Sequence, residues 1–299
     1  MSTESFSPRY RDLDSWNPDE ILGALLDSQF CAVAAVNAAL NPLERAAVAI
    51  AQRLRNGGRI VYVGAGTSGR IAVQDGAELP PTFDWPRDRV VFIMAGGMDA
   101  LVQSVEGAED DREAAIWAIE DEGIGPEDSV IGLAASGATP FTVAAIQAAR
   151  QRGALTVGIA NNDDSPLLSA ADYPILLDTG PEVVAGSTRL KAGTAQKIAL
   201  NLISTVVMIQ LGRVYDGMMV DMVAVNEKLR RRSERMLHRL TEAPLESIQA
   251  ALDAANGKVK LARVLLEGLG VSEARALLDV HNGHLRPALA AIANRRKPA

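Results

Sequence analysis

Two glycine- and hydroxyl-rich loops about seventy residues apart constrain this chain more than any other feature. Arg59-Ile60-Val61-Tyr62-Val63 reads as a buried strand that runs into Gly64-Ala65-Gly66-Thr67-Ser68-Gly69-Arg70, ahead of a helical pattern. A second apolar run over 129–134 leads into Ala135-Ser136-Gly137-Ala138-Thr139-Pro140, again ahead of a helical pattern. A strand–turn–helix unit aims free backbone N–H groups and the positive end of a helix at one spot, which makes an anion site. Two such units with Ser and Thr donors point to a phosphorylated polar ligand held between the loops.

The rest of the chain extends this alternation. Strands are expected at 89–94, 129–134, 155–159 and 173–177, with helical stretches notably at 98–120 and 140–152. Strands alternating with helices form βαβ units around a mainly parallel sheet covered on both faces, and ligands bind such sheets at the carboxyl ends of the strands. Aromatic residues are only 4% of the chain, so the core is expected to be Ala, Val, Ile and Leu. Residues 1–18 read as a polar extended arm, and 19–56 as helices with apolar positions at Ile21, Leu22, Leu25 and Leu26, then Ala47, Val48, Ile50, Ala51 and Leu54, ended by Gly57-Gly58. Beyond Gly186-Ser187-Thr188, helical patterns run to about Leu211 and from Gly217 to about Leu240. Residues 244–299 suggest three short helices broken at Asn256-Gly257, Gly268-Leu269-Gly270 and Asn282-Gly283. The expected organisation is an arm with helices over 1–56, a main α/β domain over 57–240 and a helical module over 241–299.

A net charge of −7 argues against a nucleic-acid or membrane surface. Arg230-Arg231-Arg232, Arg235 and Arg239 lack interleaved aromatics and read as a solvated helix face. Cys31 is the only cysteine, so no intrachain disulfide can form, which fits a reducing compartment. Met1 to Phe6 lacks the basic and apolar regions of a signal peptide, and Ile198 to Leu211 reads as too short and too polar to span a bilayer. A soluble, cytoplasmic protein is expected.

Gly64 to Gly69 satisfies G-x-G-x-x-G literally, but a dinucleotide fold needs an acidic residue at the end of the next strand. That strand ends in Ala95-Gly96-Gly97 with Asp99 the nearest carboxylate, and the loop hydroxyls suit a sugar phosphate better. Taken alone, Ser136 and Thr139 are explained as well by helix N-capping; paired with the first loop they favour ligand binding. Glu78 stands where a helix is expected to stop before Pro80-Pro81, opposing the helix dipole, as functional residues can. Glu109 lies in the acidic stretch Val105 to Asp111, which also reads as a solvated helix start. Two carboxylates in different surroundings can divide into an acid and a base. His238, His281 and His284 all fall in the C-terminal helical stretches, beyond the strand–helix alternation, so neither a metal site nor a Ser-His-Asp triad is expected.

Taken together, Gly64 to Arg70, Glu78-Leu79-Pro80-Pro81-Thr82-Phe83, Val105 to Asp110, Gly186 to Lys197 and Val220 to Leu229 resemble the N-acetylmuramic acid 6-phosphate etherase family, in order from about residue 40 onward. The resemblance implies a three-layer sugar isomerase (SIS) domain with a helical tail, a homodimer, and no metal or cofactor. It also implies cleavage of the D-lactyl ether of N-acetylmuramic acid 6-phosphate in cell-wall sugar recycling. By motif, Glu78 matches the family's proton donor and Glu109 its second catalytic carboxylate, with the role of Glu106 beside it open. Gly66, Thr67, Ser68, Ser136, Gly137, Thr139 and Lys191 are the substrate-binding positions that the resemblance implies. The chain departs from the family pattern at Gly76, Ala77, Leu79 and Ala138, which bears on substrate selectivity. An aldose–ketose isomerase shares the enolising step but needs no acid aimed at a C3 leaving group, so Glu78 separates the two. A non-catalytic sugar-phosphate sensor similar to the glucokinase regulatory protein could dispense with both carboxylates, which are present here.

Overall fold

The computed structural model describes residues 2–223 and 226–295; positions 224–225 of the Val220 to Leu229 stretch and 296–299 of the tail lie outside the described residues. The backbone divides into two compact units, 1–78 with 87–206, and 79–86 with 207–299.

In the first unit the chain runs through α1 (Pro18–Ala38), α2 (Leu40–Arg55), β1 (Ile60–Gly64), α3 (Gly66–Phe83), β2 (Val90–Met94), α4 (Arg112–Asp121), β3 (Ser129–Ala134), α5 (Pro140–Gln151), β4 (Leu155–Ala160), α6 (Pro166–Ala170), β5 (Tyr173–Leu176) and α7 (Lys191–Gln210). The division between units falls inside α3 and α7. All five strands are parallel, in the order β2-β1-β3-β4-β5, with Ile60 opposite both Val90 and Ser129. This confirms the parallel α/β fold.

Strand order reverses between β1 and β3, so the connections leaving these strands diverge to opposite sides and open a crevice at their carboxyl ends. Both hydroxyl loops leave from that crevice. Along each strand the pleat sends alternate residues to opposite faces. Val61, Val63, Val91, Ile93 and Val130 therefore join α4, α5 and α6 in one apolar cluster. On the other face, Tyr62 and Phe92 stack 6.0 Å apart beneath α3. A Cβ on Gly76 would lie 2.5 Å from Phe92 and 2.7 Å from Tyr62, so the packing of α3 on these rings requires glycine there.

Several segments differ from expectation. The stretch 98–120 is not one helix: 3-10 turns at Met98–Leu101 and Ala108–Asp110 precede α4. Gly96, Gly97 and Gly107 have φ of +80°, +73° and +73°, a region that breaks a right-handed helix. Helix α3 does not stop before Pro80-Pro81 but runs to Phe83. Proline removes an N–H donor and crowds the carbonyl four residues back, yet the Asp84 N–H still bonds Pro80 O at 3.0 Å and closes the last turn. Glu78 is thus inside a helix, not at its end. The arm is not uniformly extended, since it forms three 3-10 turns and buries Thr3 completely.

Helices α1 and α7 are each long and apolar enough to cross a membrane by length and composition; α7 spans the helix expected to end near Leu211, and its apolar stretch begins before Ile198. Over half of α7 is buried in the protein, and its polar positions Gln196, Asn201 and Ser204 bond to Asn161 and Asp75.

The second unit holds a hairpin, β6 (Val214–Tyr215) with β7 (Met218–Met219), and helices α8 (Glu227–Thr241), α9 (Leu245–Ala254), α10 (Val259–Leu265), α11 (Val271–Val280) and α12 (Leu285–Arg295). The hairpin replaces the start of the helix expected from Gly217, because Asp216 and Gly217 both adopt positive φ, +49° and +72°, as a two-residue turn requires. The Asn226 side chain then accepts the Leu229 N–H and starts α8. Four helices follow in place of three, since three glycine breaks separate four segments. Val220, Leu237, Ile248, Val259, Ala274 and Ala288 share one apolar core.

Candidate active site

Gly64 closes β1 and Gly66, at φ +52°, opens α3. The strand and helix approach so closely that a Cβ on Gly64 would come 2.8 Å from Gly69 N, and one on Gly69 would come 2.9 Å from Gly64 O. Two glycines at this spacing are therefore a packing requirement. Thr67 and Ser68 then occupy the first turn of α3, whose leading N–H groups have no helical carbonyl to bond.

In the second loop Gly137 has φ +69°, and a Cβ there would meet Ser165 Oγ at 2.2 Å and Ser165 Cβ at 2.4 Å. Ser136 Oγ accepts the Ala138 N–H at 3.1 Å. Thr139 is the N-cap residue of α5, but its side chain makes no capping hydrogen bond. The simpler explanation thus holds for Ser136 as a turn acceptor, whereas Thr139 keeps its hydroxyl free of cap duty.

Helix α7 brings Lys191 to the same end of the sheet. Gly193, in the first turn of α7, packs so that a Cβ would sit 3.5 Å from Thr67 Cγ2, which joins the first loop to the start of α7. The Lys191 and Ala192 N–H groups donate to the carboxylate of Glu182 at 3.3 and 2.9 Å. Glu182 has 0% exposure; burial pushes its carboxyl above the ordinary range, and these N–H groups oppose the shift. The second loop is tied in through Asn161, which donates its backbone N–H to Ala135 O at 3.0 Å and accepts from Gln196 of α7 at 3.0 Å.

The acidic segment closes another side. A cavity of about 350 Å³ is lined by Ala65, Gly66, Arg70, Ser104, Glu106 and Glu109, among others. Glu109 therefore faces the first loop, and Glu106 shares the cavity with it. Helix α4 is started by Asp111, which accepts the Ala114 N–H at 2.9 Å, so Glu109 is not its cap. The Arg70 guanidinium donates to Ala100 O and Leu101 O at 3.0–3.1 Å and fixes the turn that leads to the two glutamates. Its role was not evident in the sequence, because its partners are carbonyls of a segment that reads as helix.

Glu78 is not among the residues lining that cavity. It is exposed and lies twelve residues beyond Gly66 on α3, roughly 18 Å along the helix axis at 1.5 Å per residue. One turn before it, Asp75 is buried and accepts from Tyr62 at 2.8 Å, Asn201 at 2.6 Å and Ser204 at 3.1 Å. Burial raises the Asp75 carboxyl above its ordinary range despite these bonds. This network anchors α3 to β1 and α7 and so fixes the register of Glu78. Among the described residues no group of three or more His, Cys, Asp or Glu side chains forms a metal-binding set.

Two family models agree with this architecture. The glucokinase regulatory protein N-terminal SIS domain family matches residues 43–150, and the SIS domain family matches 112–206. A phosphoheptose isomerase from Francisella tularensis aligns at a TM-score of 0.45 and 18% identity, covering 64% of this chain and 96% of its own. The N-acetylmuramic acid 6-phosphate etherase of Deinococcus radiodurans is 51% identical over 96% of this chain and 94% of its own length. That of Streptomyces avermitilis is 46% identical over 97% and 94%. With its parallel sheet, its paired hydroxyl loops and this identity over nearly its whole length, the chain belongs to the N-acetylmuramic acid 6-phosphate etherase family.

Proposed function

We infer that the protein cleaves the D-lactyl ether of N-acetylmuramic acid 6-phosphate, giving N-acetylglucosamine 6-phosphate and D-lactate. Near-full-length identity to etherases supports the reaction, and the cavity that joins Gly66 to Glu109 is the observation that supports its location. The first turns of α3 and α5, with Thr67, Ser68, Ser136, Gly137 and Thr139, offer N–H and O–H donors to the phosphate, and Lys191 adds a cation. Holding the phosphate supplies binding energy remote from the bond that breaks.

An alkoxide at C3 is a poor leaving group, but in the open-chain sugar the C2 proton is acidic because C1 is an aldehyde. Glu109 takes that proton, the C3–O bond breaks, and Glu78 protonates the departing lactate oxygen. Water then adds across the C2–C3 double bond, placing hydroxyl on C3 and hydrogen on C2. The net reaction consumes one water and needs no oxidant or reductant. Each positioned proton transfer contributes roughly 10²–10⁴ in rate.

The distance along α3 between Gly66 and Glu78 favours a homodimer in which Glu78 of a second copy serves the Glu109 cavity. A second copy would also cover the apolar face of α1, where Leu22, Leu26, Phe30 and Val33 are exposed at helical spacing. We place the enzyme in the cytoplasm, where its single exposed cysteine, Cys31, stays reduced. The test is D-lactate release from the substrate by wild type and by Glu78→Gln and Glu109→Gln. Release by wild type with a loss of at least about 100-fold in each variant supports the assignment; phosphate-dependent binding without release contradicts it.

A further inference from the structure

The N-terminal tip is built into the carboxyl end of the sheet through one side chain. Thr3 has 0% exposure, although it lies near the start of the chain in a short 3-10 turn. Its partner is Asn162, itself buried, two residues past the end of β4. Asn162 Oδ1 accepts the Thr3 N–H at 3.2 Å and the Ser2 hydroxyl at 3.1 Å. Asn162 Nδ2 donates to Thr3 Oγ1 at 2.8 Å and to Ala135 O at 2.9 Å. A carboxamide has two N–H donors and two acceptor lone pairs, so all four are used.

Three of the four bonds go to the tip. The fourth holds the carbonyl of Ala135, the residue directly before Ser136. Without the tip, a buried amide would keep one partner in four, and it would turn toward water and leave Ala135 O to the Asn161 N–H alone. Next to Thr3, Glu4 Oε2 lies 2.9 Å from where a Cβ on Gly186 would stand. The tip therefore touches the two segments that lead to Ser136 and to Lys191.

We propose that Thr3 and Asn162 are positioning residues for sugar-phosphate binding: the tip clasps Asn162, and Asn162 holds the Ser136–Thr139 loop in its ligand-accepting shape. This rests on the assignment of that loop to the phosphate. Linkage makes the coupling reciprocal, so a bound sugar phosphate tightens the clasp by the same factor that the clasp tightens binding.

The test uses the full chain, calorimetric titration with N-acetylglucosamine 6-phosphate, and KM and kcat for the etherase reaction. Thr3→Val keeps the shape of the side chain but removes Oγ1. It is expected to weaken ligand binding and raise KM by about three- to tenfold, with kcat within about twofold; Thr3→Ser, which restores the hydroxyl, brings both back. Hydrogen exchange of the N-terminal peptide is expected to slow when the sugar phosphate is added to wild type. Thr3→Val binding as tightly as wild type, or exchange unaffected by ligand, overturns the clasp while the etherase assignment stands. Equal losses in Thr3→Ser and Thr3→Val also overturn it, since the hydroxyl is then not what matters. Wild type that binds no sugar phosphate overturns the assignment of the loop and the clasp with it.

Discussion

Gly137→Ala probes the second loop most sharply, because two separate costs meet at one position. A φ of +69° is strained for alanine, at about 1–2 kcal/mol. The new methyl would lie 2.2 Å from Ser165 Oγ and 2.9 Å from Ala160 Cβ, and forced overpacking adds about 1–3 kcal/mol. The sum is about 2–5 kcal/mol of stability. Gly123→Ala is the control: φ is +59° with nothing within 4 Å of the added methyl, so only the backbone cost of about 1–2 kcal/mol remains. Urea unfolding of both variants measures the difference. The clash can also be isolated. Ser165 precedes α6 without a side-chain capping bond, so Ser165→Gly alone costs only about a few tenths of a kcal/mol. In the double variant the two nearest clashes vanish, and a double-mutant cycle should return an interaction of about 1–2 kcal/mol. Gly137→Ala should also weaken N-acetylglucosamine 6-phosphate binding at least about tenfold through movement of the Ser136–Thr139 turn. Equal stability of Gly137→Ala and Gly123→Ala, or no interaction with Ser165→Gly, would refute the reasoning.

Other perturbations separate the remaining roles. Mixing Glu78→Gln with Glu109→Gln before subunit exchange should restore up to about a quarter of wild-type activity if each site draws one carboxylate from each copy; no recovery places both in one chain. Tyr62→Phe leaves Asp75 one donor short and should destabilise the protein by about 1–3 kcal/mol, read by urea unfolding at pH 7. For Asp128, burial alone would push the carboxyl up, but bonds from Arg59 and the Gly125 N–H bring it below 3.8 in the folded protein. A lowered folded pKa gives stability that is present above the unfolded value and lost as pH falls through the folded one. The cost of Asp128→Asn should therefore shrink from neutral pH toward and below 3.8; a cost independent of pH would contradict the pairing. Asp75 has the opposite sign: its raised pKa means that its burial costs least at acid pH, and the cost grows as pH rises above 3.8.

How much of this was legible in the sequence depended on whether the signal was local. The strands were, because β-branched apolar runs such as Val61 to Val63 and Val130 to Leu133 each lead into a glycine- and hydroxyl-rich turn. The glycine loops were too, since Gly64, Gly69 and Gly137 are each demanded by contacts under 3 Å. The segment over 98–120 reads as one helix between two strands, but the positive-φ glycines Gly97 and Gly107 break it and Val102 is left 85% exposed. Pro80-Pro81 reads as a stop, yet one further turn closes through Asp84. Glu182, Asp75 and Asn162 carried no readable signal. Their partners lie at Lys191–Ala192, Asn201–Ser204 and Thr3, and only the folded chain brings these together.

The most direct measurement of the central claim is the reaction of N-acetylmuramic acid 6-phosphate in heavy-oxygen water, with both products read by mass spectrometry. Elimination followed by water addition breaks the bond between C3 and the ether oxygen. The label should then appear at C3 of N-acetylglucosamine 6-phosphate, read in a fragment that excludes the exchangeable C1 oxygen, and not in the hydroxyl of D-lactate. Label in the lactate hydroxyl, or no lactate at all, would contradict the roles given to Glu109 and Glu78.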